Sequence, residues 1–312
     1  MNGWRTRSGV ALITALLITA LVGSVALSMS WDNALDVRRT MVMLYRDQAI
    51  QVAIGSEGWV ETILRSDQLE SESDHLGEIW ATEIPALPID SQAVQGEIYG
   101  KIEDLQGRFN LNNLIDGDGK VDKPSLEQYE RLLAALGLDA RLAGITADWL
   151  DADQTESIPY GAEDPLYTGM TPAYRTADRP IVSVTELAAL DGMDRASYQT
   201  LLPHVTALPE RTAINVNTAT SVVLQSLGPN ITPGDAEGLI AAREDGGFVD
   251  FSTVFAPLVD PELQPWISET TSYFQLKAVV QIDTVRVSLF TVLHRDPDGP
   301  GVTPILRTLG TI

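Results

Sequence analysis

Residues 10–31 read VALITALLITALVGSVALSMSW and contain no charged side chain. At about 1.5 Å per residue, a helix of this length covers roughly 30 Å of hydrocarbon, so the stretch predicts a membrane-crossing helix. Residues 1–9 carry Arg5 and Arg7 and no acid. By the positive-inside rule they stay in the cytoplasm, and everything after Trp31 lies outside. A cleaved secretory signal is the competing reading, but its apolar core is about 7–15 residues long and this run exceeds that. The pattern also continues beyond the run: Leu35, Val42, Ala49, Ala53, Val60 and Leu64 fall on one helical face, and no proline occurs before Pro85. One long helix is expected, half in lipid and half out.

The remainder is acidic. The 312 residues include 43 Asp and Glu against 21 Lys and Arg, for a formal charge of −22, with 44% apolar residues and no cysteine. That apolar fraction is ordinary for folded chains, and the length suits about two domains. A surface this negative repels phosphate, so nucleic acid is not an expected partner. Without cysteine there is no disulfide, thiolate metal site or thiol nucleophile. The surplus carboxylates are either a solvated surface or, in part, ligands for a hard cation such as Ca²⁺.

The junction Ser8-Gly9-Val10-Ala11-Leu12-Ile13 resembles the processing site of type IV pilin-like proteins. The resemblance implies cleavage after Gly9 by a prepilin peptidase, methylation of Val10 as the new amino terminus, and retention of the apolar helix. Most members carry glutamate at the fifth mature position, where it pairs with a neighbouring subunit's terminal amine; here that position is Thr14. A subunit without the carboxylate suits an unusual place, such as the end of a filament.

Downstream, Glu97 to Asp104 (EIYGKIED) alternates as a half-buried strand does. Tyr273 to Ile282 and Val285 to His294 are rich in β-formers and read as a hairpin across Asp283-Thr284, with a further short strand over Thr303 to Leu309. The part between is mainly helical. Leu126 to Leu136 is a helix stopped by Gly137, Ser183-Val184-Thr185-Glu186 is a capping box, and Thr218 to Leu227 (with Asn217 as N-cap) and Pro233 to Arg243 (after Thr232) form a helix pair. The expected fold is α+β: a type IV pilin-like long N-terminal helix on a small antiparallel sheet, with a large helical insert resembling SAM or helix-hairpin-helix domains. The expected boundaries are 1–9 for the leader, 10–31 for the membrane span, 32–110 with 272–312 for the α/β domain, and 111–271 for the insert.

Four segments narrow the resemblance: Asp104-Leu105-Gln106-Gly107-Arg108-Phe109-Asn110-Leu111-Asn112, Ala147-Asp148-Trp149-Leu150-Asp151-Ala152-Asp153, Gly161-Ala162-Glu163-Asp164 and Ile214-Asn215-Val216-Asn217-Thr218-Ala219. In this order, with the leader and Thr14, they resemble the K-type minor pseudopilins of type II secretion. The resemblance implies a single-pass inner-membrane protein with its bulk in the periplasm. It implies a subunit that caps the pseudopilus tip, initiates assembly with I- and J-type minor pseudopilins, and sits on the major pseudopilin filament.

Asp148, Asp151, Asp153, Glu163 and Asp164 bracket a loop containing Pro159 and Gly161. From composition alone a solvated acidic loop and a Ca²⁺ site both fit. The resemblance implies calcium, with Asp151, Asp153, Glu163 and Asp164 as ligands and Asp148 as a helix-terminal residue. Asp116-Gly117-Asp118-Gly119-Lys120-Val121-Asp122 looks like part of an EF-hand, but position 6 from Asp116 would be Val121 where that loop requires glycine, so an Asp-Gly turn is expected.

Asn215 to Gly246 resembles a DNA-binding helix-hairpin-helix, yet Pro229 and Pro233 lack the amide hydrogens that would meet a phosphate, and Asp235, Glu237, Glu244 and Asp245 surround it. His75, His204 and His294 lie far apart, and no G-x-S-x-G or phosphate-loop motif occurs, so no catalytic residue is assigned. Three rival readings remain at this level: a type IV pilus tip subunit, a membrane-anchored DNA receptor and a calcium-dependent hydrolase.

Overall fold

The computed structural model describes residues 7–91, 94–157, 159–243, 246–248, 250–299 and 301–310. The first six residues of the expected leader, Arg5 among them, and Glu244 and Asp245 lie outside the described residues.

Helix α1 runs from Arg7 to Glu70, 64 residues or about 95 Å. The Gly9-Val10 junction lies in its first turn. The single apolar stripe is used in two ways. Ala49, Ala53, Val60 and Leu64 are fully buried, whereas Leu35 and Val42 on the same face are 40% and 44% exposed. The upper half of the helix therefore belongs to the folded body, and the lower half, with the whole apolar run, projects away from it, its apolar window unburied by any of the described residues.

The buried half lies on a five-stranded antiparallel sheet. Its strands are β1 (Ile84–Ser91), β2 (Val94–Asp104), β7 (Tyr273–Ile282), β8 (Val285–Arg295) and β9 (Val302–Leu309), ordered β1-β2-β7-β8-β9. Register explains the burial: Ile98 stands opposite Val280 and Ile102 opposite Leu276. With Phe274, Ala278 and Ile282 these alternate residues turn one face toward α1. Each fully buried Leu or Ile there contributes about 1.5–3 kcal/mol. Asp283, at the tip of the expected hairpin, has φ 51°, a left-handed conformation that aspartate tolerates. Strand β1 is invisible to pattern reading because Pro85 and Pro88 demote it, and it occupies the sheet edge where proline is allowed. Both edge pairings are irregular, with register shifts between Ile84 and Leu87 and between Val292 and Leu293.

Between β2 and β7 a second core forms around Phe109, Leu111, Tyr129, Leu132, Tyr167, Leu187, Val223 and Phe255. Its helices are α2 (Lys123–Ala135), α3 (Arg141–Leu150), α4 (Asp164–Tyr167), α5 (Arg195–Leu201), α6 (Ser221–Ser226), α7 (Pro233–Arg243) and α8 (Phe251–Phe255), and two parallel pairs of two-residue strands, β3 (Phe109–Asn110) with β4 (Val205–Thr206) and β5 (Ile214–Asn215) with β6 (Ile267–Ser268), brace it. Gly137 follows α2 with φ 68°, and the capping box at Ser183 and Glu186 opens a 3₁₀ helix, Val184–Ala189. One cap differs from expectation. Thr220, not Asn217, caps α6, which starts at Ser221; Asn217 is buried and its Oδ1 accepts from the Phe248 amide (2.9 Å).

The asparagines of the Phe109–Asn113 segment act as buried staples. Asn112 Oδ1 accepts from the Ile181 amide (2.8 Å) while its Nδ2 donates to the carbonyls of Ile181 (2.9 Å) and Leu208 (2.7 Å). Asn113 exchanges a donor and an acceptor with the backbone of Thr212 in the same way. These side chains replace a β-ladder where irregular backbone is buried. Gly107 is required beside them, since a Cβ there would lie 2.6 Å from Thr218 Oγ1.

Candidate metal centre

Helix α3 places Asp148 in its last turn and Asp151 immediately after it, three residues on and so on the same face. The loop then folds back. Asp148 Oδ2 accepts from the amides of Ala162 (2.9 Å) and Ser157 (3.0 Å), which brings Glu163, the residue before α4, onto the two aspartates. One carboxylate oxygen each of Asp148, Asp151 and Glu163 lies within 4.8 Å of the others. Gly161 makes the approach possible, because a Cβ there would overlap Asp148 Oδ2 and the Ser157 amide.

All three acids are buried, Asp148 and Glu163 completely. Both oxygens of Glu163 and Oδ1 of Asp151 have no hydrogen-bond partner. Burial pushes Glu163 up to about 8, with the charges of Asp148 and Asp151 adding to it. Burial likewise raises Asp151 to about 7, with Asp148 and Asp153 adding. Unpartnered buried carboxylate oxygens cost free energy that a cation recovers. The donors are all hard oxygens, which fits Ca²⁺ and not a metal preferring nitrogen or sulfur.

Of the four expected ligands, the structure brings two together. Asp151 and Glu163 join the cluster; Asp153 is exposed and its Oδ1 accepts from the Thr155 amide (2.7 Å). Asp164 Oδ1 accepts from the amide and hydroxyl of Thr176 (both 3.1 Å), and its Oδ2 lies 3.3 Å from Arg175 Nη1. Asp148, set at the helix end by the sequence, supplies the third carboxylate, and the spacing Asp148-x-x-Asp151 was the signal for it. Asp178 was not indicated at all; its charge acts on both Asp151 and Glu163 across the fold. In the Asp116 loop, Asp116 Oδ1 accepts from the amides of Asp118 (2.8 Å) and Lys120 (3.0 Å), and Asp122 caps α2. The histidines are separate: His204 Nδ1 meets Thr220 Oγ1 at 2.8 Å and His294 lies 4.7 Å from the Tyr273 ring.

The fold is similar to a chain of the crystal structure described as the GspK-GspI-GspJ complex from the enterotoxigenic Escherichia coli type 2 secretion system. The TM-score is 0.76 at 24% identity, covering 88% of this chain and 100% of that one. Two family profiles, both described as type II secretion system (T2SS), protein K, match residues 107–210 and 214–259. The type II secretion system protein K of Aeromonas hydrophila is 29% identical over 96% of this chain and 96% of its own. That of Klebsiella pneumoniae is 34% identical over 92% of each. The Pseudomonas aeruginosa protein of the same name is 38% identical across 95% of this chain and 91% of its own, so the chain belongs to the type II secretion system protein K family.

Proposed function

We propose that this minor pseudopilin occupies the tip of the pseudopilus and starts its assembly with I- and J-type minor pseudopilins, acting as a scaffold and not as an enzyme. The observation that carries the reading is the helical insert between β2 and β7, a second body with its own core. Such bulk fits the end of a helical stack and obstructs its middle. Thr14 supports the same place. Its hydroxyl bonds to the carbonyls of Val10 (3.1 Å) and Ala11 (3.0 Å) within α1, and so it asks for no charged partner from a preceding subunit. The name of the similar solved complex, which joins a K to an I and a J component, agrees with these partners.

The bare apolar half of α1 anchors the chain once in the inner membrane, and the acidic body lies in the periplasm. Prepilin peptidase cleaves after Gly9 and Val10 is methylated. Asp148, Asp151 and Glu163 hold Ca²⁺, which neutralises their mutual repulsion and fixes the 152–162 loop against α3. Co-expression of the full chain with I- and J-type pseudopilins, followed by detergent extraction, tests the reading. A stoichiometric three-component complex is expected, and its absence would remove the tip assignment.

A further inference from the structure

A separate acidic cluster closes the upper end of α1. Asp67 lies in the last turn of the helix, and Asp74 and Glu78 lie in the loop after it, with one carboxylate oxygen of each within 4.8 Å of the others. Their side chains are 11%, 3% and 8% exposed. One guanidinium faces them. Arg295, at the end of β8, donates through Nη2 to both oxygens of Asp74 (2.6 Å each) and to the Thr271 carbonyl (2.8 Å), and through Nη1 to Asp67 Oδ2 (3.1 Å).

That pairing leaves the cluster incomplete. Among the described residues, Arg295 is the one permanently charged cation paired with these three carboxylates, and its ion pairs are with Asp67 and Asp74. Glu78 Oε2 accepts from the His75 amide (2.9 Å) and from Trp80 Nε1 (2.7 Å), but its Oε1 is buried and has no hydrogen-bond partner. His75 Nε2 is 3.8 Å from that oxygen, beyond hydrogen-bond range. A cleft of about 450 Å³ opens beside Asp67 and Glu78; Trp59, Ile63 and Ile79 line its apolar side, and Ser66, Glu70 and Ser71 its polar side, from which water can reach the two carboxylates.

We infer that Asp67, Asp74 and Glu78 hold a second divalent cation, Ca²⁺ by their all-oxygen chemistry, beside Arg295 and independent of the centre in the insert. Ca²⁺ takes about 6–8 oxygens, and the cleft supplies water for the positions that the carboxylates leave. The ion acts where the molecule is joined. The Asp74 amide donates to the Glu269 carbonyl (2.8 Å), its Oδ2 accepts from the Thr271 amide (2.7 Å) and its carbonyl accepts from Asn215 Nδ2 (3.0 Å). Fixing Asp74 to Asp67 and Glu78 therefore ties the end of α1 to the start of β7 and to the insert together.

The test uses the full chain in detergent, freed of metal, with Ca²⁺ followed by equilibrium dialysis and Tb³⁺ by tryptophan-sensitised emission. Trp80, which donates to Glu78, lies next to the site and serves as its antenna. Glu163→Gln silences the centre in the insert; Glu78→Gln keeps an acceptor for Trp80 and His75 while removing the charge. The Glu163→Gln chain is expected to retain one equivalent of Ca²⁺ and Tb³⁺ emission. In the Glu163→Gln/Glu78→Gln chain that affinity falls at least about tenfold and the emission is lost. If Glu78→Gln does not fold, as judged by circular dichroism, Asp67→Asn is read in the same way. A Glu163→Gln chain that binds no Ca²⁺, or a folded double variant that keeps the equivalent at unchanged affinity, overturns the inference.

Discussion

Arg307 on β9 grips Glu57 on α1: its Nε donates to Oε1 (2.8 Å) and Oε2 (3.0 Å), and its Nη2 to Oε2 (2.7 Å). Glu57 is only 3% exposed, and Thr291 Oγ1 on β8 also donates to it (2.7 Å). The carboxylate is thus buried between helix and sheet with its charge answered from the rim. Arg307→Met leaves it without a cation, and stability should fall by about 1–3 kcal/mol. Adding Glu57→Gln should return part of that loss. Urea denaturation followed by far-UV circular dichroism checks both; equal midpoints for wild type and Arg307→Met would show that the pair contributes nothing.

Calcium removal should destabilise the insert. An ion present at about 100 times its Kd contributes about 2.7 kcal/mol. Thermal melts with Ca²⁺ and with EGTA should therefore differ for the wild type and coincide for Glu163→Gln. Asp153→Asn and Asp164→Asn should keep most of the difference, because both side chains are engaged outside the cluster. Loss of the calcium response in Asp153→Asn would mean that the ligand set is the wider one.

Proton and metal should compete. Glu163 and Asp151 have folded-state values of about 8 and about 7, above their ordinary 4.5 and 3.8. The folded chain therefore holds these protons more tightly than the unfolded one. Without metal, the associated stability is complete below about pH 4 and is lost as pH rises through 7 to 8. Saturating Ca²⁺ should flatten this decline, and apparent Ca²⁺ affinity should rise over the same window. A metal-free Tm that climbs steadily from pH 5 to 8 contradicts the assignment.

Gly161→Ala should act on the centre through space alone. Its methyl would overlap Asp148 Oδ2 and the Ser157 amide, forcing the loop off the carboxylate that organises it. Ca²⁺ affinity should fall while the sheet keeps its melting behaviour. Calorimetric titration that finds unchanged affinity would remove the role given to this glycine.

The sequence was readable where one period governs a long segment. The apolar run and its continuation gave α1, alternation gave β2, and β-former content with the Asp283-Thr284 turn gave β7 and β8, with β9 after them; β7 is buried on both faces, so alternation does not mark it. Strand β1 was not readable, because Pro85 and Pro88 mark it as a non-strand until the sheet edge is known. The acidic loop was readable as a region but not as a ligand set. Which carboxylates converge depends on Ser157 and Ala162 folding back onto Asp148, a relation with no sequence period. The Asp67, Asp74 and Glu78 cluster was hidden for a related reason: its counter-ion, Arg295, arrives from the other end of the chain.

The two rims of the sheet bear on how such a chain avoids sticking to others side by side. Pro85 and Pro88 interrupt one rim and Pro304 the other, and each rim also carries a register shift. A foreign strand laid along either side would meet missing donors and a kinked ladder, so amyloid-like lateral accretion is disfavoured. Association is thereby left to the bare lower half of α1, the only long continuous apolar rail among the described residues.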